Sequence, residues 1–220
     1  MLASEKIKVL IVDDHQIVRD GLRSLLEKEA DLQVIGEAAD GRTALRIIRE
    51  QAPRVVIMDV AMPDLNGIEA TIQIKKEFPE VKVIALSMHC DRRFVLSMIK
   101  AGASGYLIKD CAFKELIRAI RVVVVQNKIY MSPGITDVLV ENYLSGAPAE
   151  ERIAFSLLTP REREVLQLIA EGKTSNQIGE HLHVSIKTVE THRAGILNKL
   201  NIRSVAELTK FAIREGITSA

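Results

Sequence analysis

From residue 6 to about residue 125, short apolar runs rich in β-branched residues alternate with longer segments of helical period. The runs are Ile7–Val12, Leu32–Ala38, Val55–Met58, Val81–Leu86 and Ser104–Ile108. Their length and Val/Ile content predict strands, not pieces of buried helix. Between them lie Ile17–Glu29, Gly41–Gln51, Gly67–Phe78, Arg92–Ala101 and Ala112–Val125, read as helices. In the first of these, Val18, Leu22, Leu25 and Leu26 recur at helix spacing, and Arg19, Arg23 and Lys28 are read as facing elsewhere. Strands that are continuously apolar are buried on both faces. The fold class is therefore α/β, a parallel sheet with helices on each side.

The last 65 or so residues follow different rules. Thr159-Pro160-Arg161-Glu162 combines an N-cap, a proline at the first helical position and a Glu three residues after the Thr. That helix should stop at Gly172. Further helices are predicted at Ser175–Leu182, at Ile186–Leu200 capped by Ser185, and at Val205–Glu215 capped by Ser204. The result is a small all-α domain of four helices. Leu144–Ser156, with Gly146 and Pro148, reads as a linker, and Gly134–Tyr143 as a connecting helix after Ser132-Pro133. Val122–Val125 reads as a packed C-terminal turn. The expected division is 1–127, 128–155 and 156–220.

Composition adds exclusions. With 47% hydrophobic and 27% charged residues, the chain is neither mainly disordered nor collagen-like. Thirty basic against 29 acidic residues leave a net charge of +1, so partners must be sought in local placement of charge. Cys90 and Cys111 are too few for a disulfide framework or a cysteine zinc site and suit a reducing cytosol. No apolar run reaches the roughly 18 residues of a membrane span. The expectation is a cytoplasmic protein with no membrane partner.

Ligands of open parallel sheets sit outside the carboxyl ends of the strands. At those ends the first strand offers Asp13 and Asp14, the third Asp59, the fourth Ser87 and the fifth Lys109. Any one Asp there is most simply a turn or cap residue. Five matching ends in order are much harder to obtain by chance. Crowded carboxylates repel one another, and a hard divalent cation such as Mg²⁺ relieves that repulsion through oxygen ligands. A lysine and a hydroxyl beside them suit a phosphoryl group carried on a carboxylate, which can act as a nucleophile. His15 reads as a loop or helix-start residue before a ligand, and Tyr106 as a core aromatic or a mobile switch.

Val9–Asp14 (VLIVDD), Val56–Pro63 (VIMDVAMP) with Gly67, Leu86-Ser87 and Gly105–Lys109 (GYLIK) resemble the motifs of two-component receiver domains over about residues 6–125. The resemblance implies a flavodoxin-like (βα)5 receiver in which a sensor histidine kinase phosphorylates Asp59. It further implies Mg²⁺ held by Asp14, Asp59 and the backbone carbonyl of Ala61, with Asp13 acting through water. Lys109 would contact the phosphoryl group, and Ser87 and Tyr106 would relay its arrival. Two departures stand out. Asp110 follows Lys109 where many receivers carry a cis proline, and a non-proline cis bond costs roughly 2.5–4 kcal/mol, so a trans bond is expected. Met88 is bulkier than the small residue common after the hydroxyl, and is read as narrowing access to the phosphoryl group.

In the tail, Ser175–Leu182 and Ile186–Leu200 have helix-turn-helix spacing. Ile186, Val189, Ile196, Leu197 and Leu200 are the expected buried positions of the second of these. Its other face carries Lys187, Thr188, Glu190, Thr191, Arg193, Ala194 and Lys199, and the short and charged side chains of its N-terminal half suit a DNA major groove. Leu158–Leu168 (LTPREREVLQL), Gly172–Ile178 (GKTSNQI) and Val184–His192 (VSIKTVETH) are similar to the LuxR-type DNA-binding domain. That resemblance implies Lys187, Thr188 and His192 near phosphates of double-stranded DNA. Glu190, Thr191, Arg193 and Ala194 become candidates for base contact. Val205, Leu208 and Thr209 would form a dimer contact, or Val205 and Leu208 only complete the core. A receiver joined to this tail is identified as a member of the NarL/FixJ-type response regulators. Such a protein is expected to be no enzyme and to dimerise on a two-fold-symmetric site when phosphorylated. A phosphohydrolase built on Asp59 would want an acid two residues on, where the chain has Ala61. Two other rivals are a tail that docks on protein and a regulator that works without phosphorylation.

Overall fold

A computed structural model describes residues 6–88, 92–136, 157–215 and 217–218, the side chains at 92 and 111–114 aside. The chain divides into two compact units, residues 1–144 and 145–220. Among the described residues no helix is long and apolar enough to cross a membrane. The predicted linker Leu144–Ser156, most of the connecting helix and Cys90 lie outside the described residues; 133–136 are helical.

In the first unit the strands are β1 (Ile7–Val12), β2 (Leu32–Ala38), β3 (Val55–Asp59), β4 (Lys82–Ser87), β5 (Gly105–Ile108) and β6 (Tyr130–Met131). They form one sheet in the order β2-β1-β3-β4-β5-β6, every pair parallel. The helices are α1 (Gln16–Leu26), α2 (Gly41–Gln51), α3 (Gly67–Glu77), α4 (Arg92–Ala101) and α5 (Lys109–Val124). The first five strands in the order 2-1-3-4-5 are the flavodoxin-like arrangement expected. Odd-numbered β1 residues Ile7, Val9 and Ile11 pack with Leu22 and Leu26 of α1 and Leu116, Ile120 and Val123 of α5. Leu10 and Val12 between them are equally buried, so the strand is apolar on both sides.

Several boundaries moved, among them the start of α5, which begins at Lys109 and not at Ala112. Asp59 and Ser87 are the last residues of their strands, each one position beyond the predicted end. Val122–Val124 form the last turn of α5, packed as expected, with Val123 and Val124 in the core and Val125 exposed. The sheet also runs past residue 127. Tyr130 donates its amide to Ser104 and Ser132 to the carbonyl of Tyr106, which adds β6 to the edge. A two-residue strand is too short to leave a period in the sequence.

The second unit contains α6 (Pro160–Ala170), α7 (Ser175–Leu182), α8 (Ile186–Leu200) and α9 (Val205–Arg214). Thr159 and Glu162 form a full capping box at α6, and Thr174 and Gln177 form another at α7. Ser185 and Ser204 cap α8 and α9 through their side-chain oxygens. The turn 183–185 is closed by His183 in the left-handed region (φ 55°). Gly179 packs against that turn, where a Cβ would sit 2.9 Å from the Val184 carbonyl oxygen. Val165, Leu168, Ile178, Val189, Ile196, Leu208 and Phe211 make the core.

Ile186 is not in that core as expected but half-exposed, at 51%. Lys199, read as lying on the polar face of α8, places its Nζ 2.7 Å from Oε2 of the buried Glu162, tying that helix to the first turn of α6. Burial works against the Glu162 carboxylate. The Lys199 ammonium and the Thr159 amide and hydroxyl outweigh it and hold the group below its ordinary value of 4.5. A carboxylate depressed in the fold contributes stability above its ordinary pKa and loses it as pH falls. Glu162→Gln keeps an acceptor for the cap but removes the charge. Hydrogen exchange of α6 amides should then be several-fold faster than in the wild-type chain at pH 7, and the gap should close below about pH 4.5.

Candidate functional site

The strand order reverses between β1 and β3, and their carboxyl ends open a crevice there. Val12 pairs with Met58, so Asp13 and Asp59 leave neighbouring strands side by side. Leu86 pairs with Asp59 and Ser87 with Ile108, which brings the hydroxyl and the start of α5 to the same edge. Lys109 and Asp110 are the first residues of α5, and the peptide bonds there are trans.

Asp13 and Asp59 are 1% and 4% exposed, burial that carboxylates tolerate only when compensated. The compensation is Lys109. Its Nζ lies 2.8 Å from Asp59 Oδ2 and 2.7 Å from Asp13 Oδ2. Burial raises the Asp59 carboxyl most; the Lys109 ammonium lowers it, Asp13 and Asp14 raise it again, and it stands at about 6. Burial pushes the Lys109 ammonium down, but Asp59 and Asp13 prevail and hold it above its ordinary value. One cation thus serves two buried acids, and Asp14 adds a third.

The donors of Asp13, Asp14, His15 and Asp59 all lie within 4.8 Å of one another. Asp13 Oδ2 and Asp14 Oδ1 are buried and make no aligned hydrogen bond. Their charged neighbours are Lys109, and His15 at 2.8 Å from Asp14 Oδ1. Buried carboxylate oxygens with spare lone pairs, on hard donors so close together, fit a divalent cation such as Mg²⁺.

The loop after β3 is built around Gly67. Its amide donates to the Val60 carbonyl at 3.0 Å, and a Cβ there would fall 2.0 Å from the backbone oxygen of Asp59. Only glycine lets α3 start so close to the acidic strand end. Asn66 caps α3 by accepting from the Glu69 amide. Arg42 on α2 donates from Nε to both oxygens of Asp64 at 3.1 Å, holding the same loop. Ser87 and Tyr106 are fully buried, and Met88 is exposed.

Three contacts of this site were outside the sequence reading. The Arg42–Asp64 pair spans two elements with no shared motif. Arg19, read as outward-facing, is buried against the Asp13 carbonyl. Tyr106 lies on the strand clasped by β6.

In the helical unit the exposed side of α8 carries Lys187, Glu190, Thr191 and Ala194, with Thr188, His192 and Arg193 partly buried. Several are braced. Glu190 accepts from Ser175 Oγ of α7 and lies 4.0 Å from Arg193, Thr188 and Ser185 share a hydroxyl contact at 2.8 Å, and Thr191 Oγ1 donates to the Lys187 carbonyl. Leu208, one of the expected dimer contacts, is fully buried in the core and cannot reach a partner; Val205, 40% exposed, can, and Thr209 is partly exposed.

Residues 9–121 match the response regulator receiver domain family, and residues 156–212 the luxR family of bacterial regulatory proteins. The transcriptional regulatory protein LiaR of Bacillus subtilis is 40% identical over 213 residues, covering 97% of this chain and all of its own. MctR of Rhizobium johnstonii, another transcriptional regulatory protein, is 39% identical over 219 residues, covering 100% of this chain and 99% of its own. A solved structure of the Salmonella typhimurium response regulator RcsB, described for its conformational dynamism in DNA interaction, has a TM-score of 0.59 at 27% identity and covers 95% of this chain and 100% of its own. The chain therefore belongs to the NarL/FixJ-type two-component response regulators, DNA-binding transcriptional regulators and not enzymes, with a receiver unit followed by a LuxR-type helix-turn-helix unit.

Proposed function

We propose that the protein is a cytoplasmic transcription factor switched by phosphorylation of Asp59 by a sensor histidine kinase. The observation that carries this is the single ammonium of Lys109 shared by the buried Asp59 and Asp13, with Asp14 beside them. Asp14, Asp59 and the Ala61 carbonyl would hold Mg²⁺, with Asp13 acting through water. The ion would neutralise charge on the incoming phosphoryl group.

The chain's own residues do the rest. The Asp59 carboxylate attacks phosphorus; an O–P bond forms as the N–P bond to the kinase histidine breaks, and that imidazole leaves with the electron pair. Lys109 follows the negative charge from the carboxylate to the phosphoryl oxygens. Ser87, at the end of the adjacent strand, would give one hydrogen bond to the phosphoryl group. Ser87 and Tyr106 would carry the change to the sheet edge, shifting the population toward a homodimer by the difference in energy between the two states. Val205 and Thr209 would contribute to that dimer on a two-fold-symmetric duplex.

Phosphotransfer tests the first step. With Mg²⁺ and a phosphorylated kinase domain, the wild-type chain should take up phosphate and Asp59→Asn should not; equal uptake ends the assignment. The carboxylate is the nucleophile, and it is protonated below about pH 6 in the metal-free fold. The uptake rate from a small acyl phosphate at limiting Mg²⁺ should therefore fall as pH drops through that value.

The helical unit predicts two different DNA phenotypes. Lys187→Ala should weaken binding to all duplexes alike and reduce the log–log salt slope by about 0.9. Arg193→Ala should reduce preference for the selected site over random duplex by about tenfold or more. Binding curves over a salt series measure both, and no binding to any duplex at low salt removes the DNA role.

A further inference from the structure

Arg19 sits on the first turns of α1, on the side that the apolar stripe would assign to solvent, yet it is only 9% exposed. Its Nη1 donates to the backbone oxygen of Asp13 at 2.6 Å. Its Nε donates to Glu37 Oε2 of β2 at 3.3 Å, and its Nη2 to the Gln16 side chain. Glu37 also receives Arg23. On its other side, the Asp13 peptide donates its N–H to the Ala38 carbonyl of β2 at 3.1 Å. The Asp13 Oδ1 atom accepts from the His15 amide at 2.9 Å. The Asp13 residue is thus held at its amide by β2, at its carbonyl by Arg19, and at its side chain by the turn that follows.

Docking α1 does not require this. Leu22 and Leu26 already bury the helix against the sheet. A buried guanidinium is costly unless well paired, and one of its three hydrogen bonds here goes to a main-chain oxygen. That oxygen belongs to the peptide that joins Asp13 to Asp14. Its orientation sets where the Asp14 side chain leaves the chain, and so how the three carboxylates converge.

We propose that Arg19, anchored by Glu37, is a positioning residue for the acidic pocket. It fixes the Asp13–Asp14 peptide, and so sets the pocket's affinity for a divalent cation without touching the ion. The inference rests on the reading that this pocket holds Mg²⁺. Residues behind metal ligands typically change affinity by about 10–100-fold when removed.

The test uses the full chain and Mg²⁺ alone, by titration calorimetry at a temperature well below melting, with metal-free melting curves recorded beside it. Arg19→Met keeps the aliphatic stem and should raise the Kd for Mg²⁺ about tenfold or more. Arg19→Lys, whose ammonium reaches the Asp13 carbonyl without forking to Glu37, should fall between it and the wild-type chain. Glu37→Gln loosens the anchor and should raise Kd by a smaller factor, and it carries the test should Arg19→Met not fold. A lower melting temperature with unchanged Kd in the folded variants would mean a purely structural staple and would overturn the proposal. A wild-type chain that binds no Mg²⁺ would overturn the metal reading itself, and this inference with it.

Discussion

One ammonium lies within 3 Å of two carboxylates at the carboxyl edge of a sheet, and the receiver unit is arranged to make that possible. Asp13 and Asp59 are nearly out of water. Two such anions side by side would each be driven toward protonation. Burial raises the Asp59 carboxyl most; Lys109 offsets part of that, Asp13 and Asp14 add to it, and the group stands at about 6. A pocket left with uncompensated negative charge is one that favours a cation and, with it, a phosphoryl group. That crowding of buried acids around one ammonium is what the proposed phosphoryl chemistry would draw on. It is also tolerable only because the sheet order sets β1 beside β3 and brings the start of α5 to the same edge.

The scaffold of this pocket was readable because each of its side chains follows an apolar strand. The position of a polar residue at a strand end is a one-dimensional fact, and five such residues at four strand ends define a three-dimensional edge. The Asp59 and Ser87 boundaries slipped by one residue, since a buried polar residue at a strand end looks like the first residue of a loop. Gly67 was legible as part of a motif, but its reason was not: a backbone oxygen where its Cβ would be. Arg19 was misread for a physical reason. An amphipathic pattern sorts side chains by apolarity, and a guanidinium that ends on a buried carbonyl and an acid looks the same as one in solvent.

The helical unit shows the same limit from the other side. Its four helices were placed closely because capping residues are local: Thr159 with Glu162, Ser185 before α8 and Ser204 before α9 each act within a few positions. Which charges face outward depends on neighbours far away in sequence. Lys199 is 37 residues from the Glu162 it binds, and the tally of basic residues along α8 could not reveal that one of them is already committed. Ile186, expected in the core, faces water in a similar way, while Leu208 takes the core place that the sequence left open beside a dimer contact.

Lys199 is committed to a contact inside the helical unit. Glu162 uses the same carboxylate to accept from the Thr159 amide, completing the capping box, and to pair with Lys199. The end of α8 is therefore fixed to the start of α6 by a group that also terminates α6. At the opposite end of α8, Glu190 is held by Ser175 of α7 and stands near Arg193. A helix pinned at both ends presents its intervening side chains with little freedom left to lose. A rigid surface gives up less entropy on binding than a floppy one. In the proposed role the braced side of α8 would discriminate between duplexes by fit, while exposed Lys187 at its start would contribute charge that is blind to sequence.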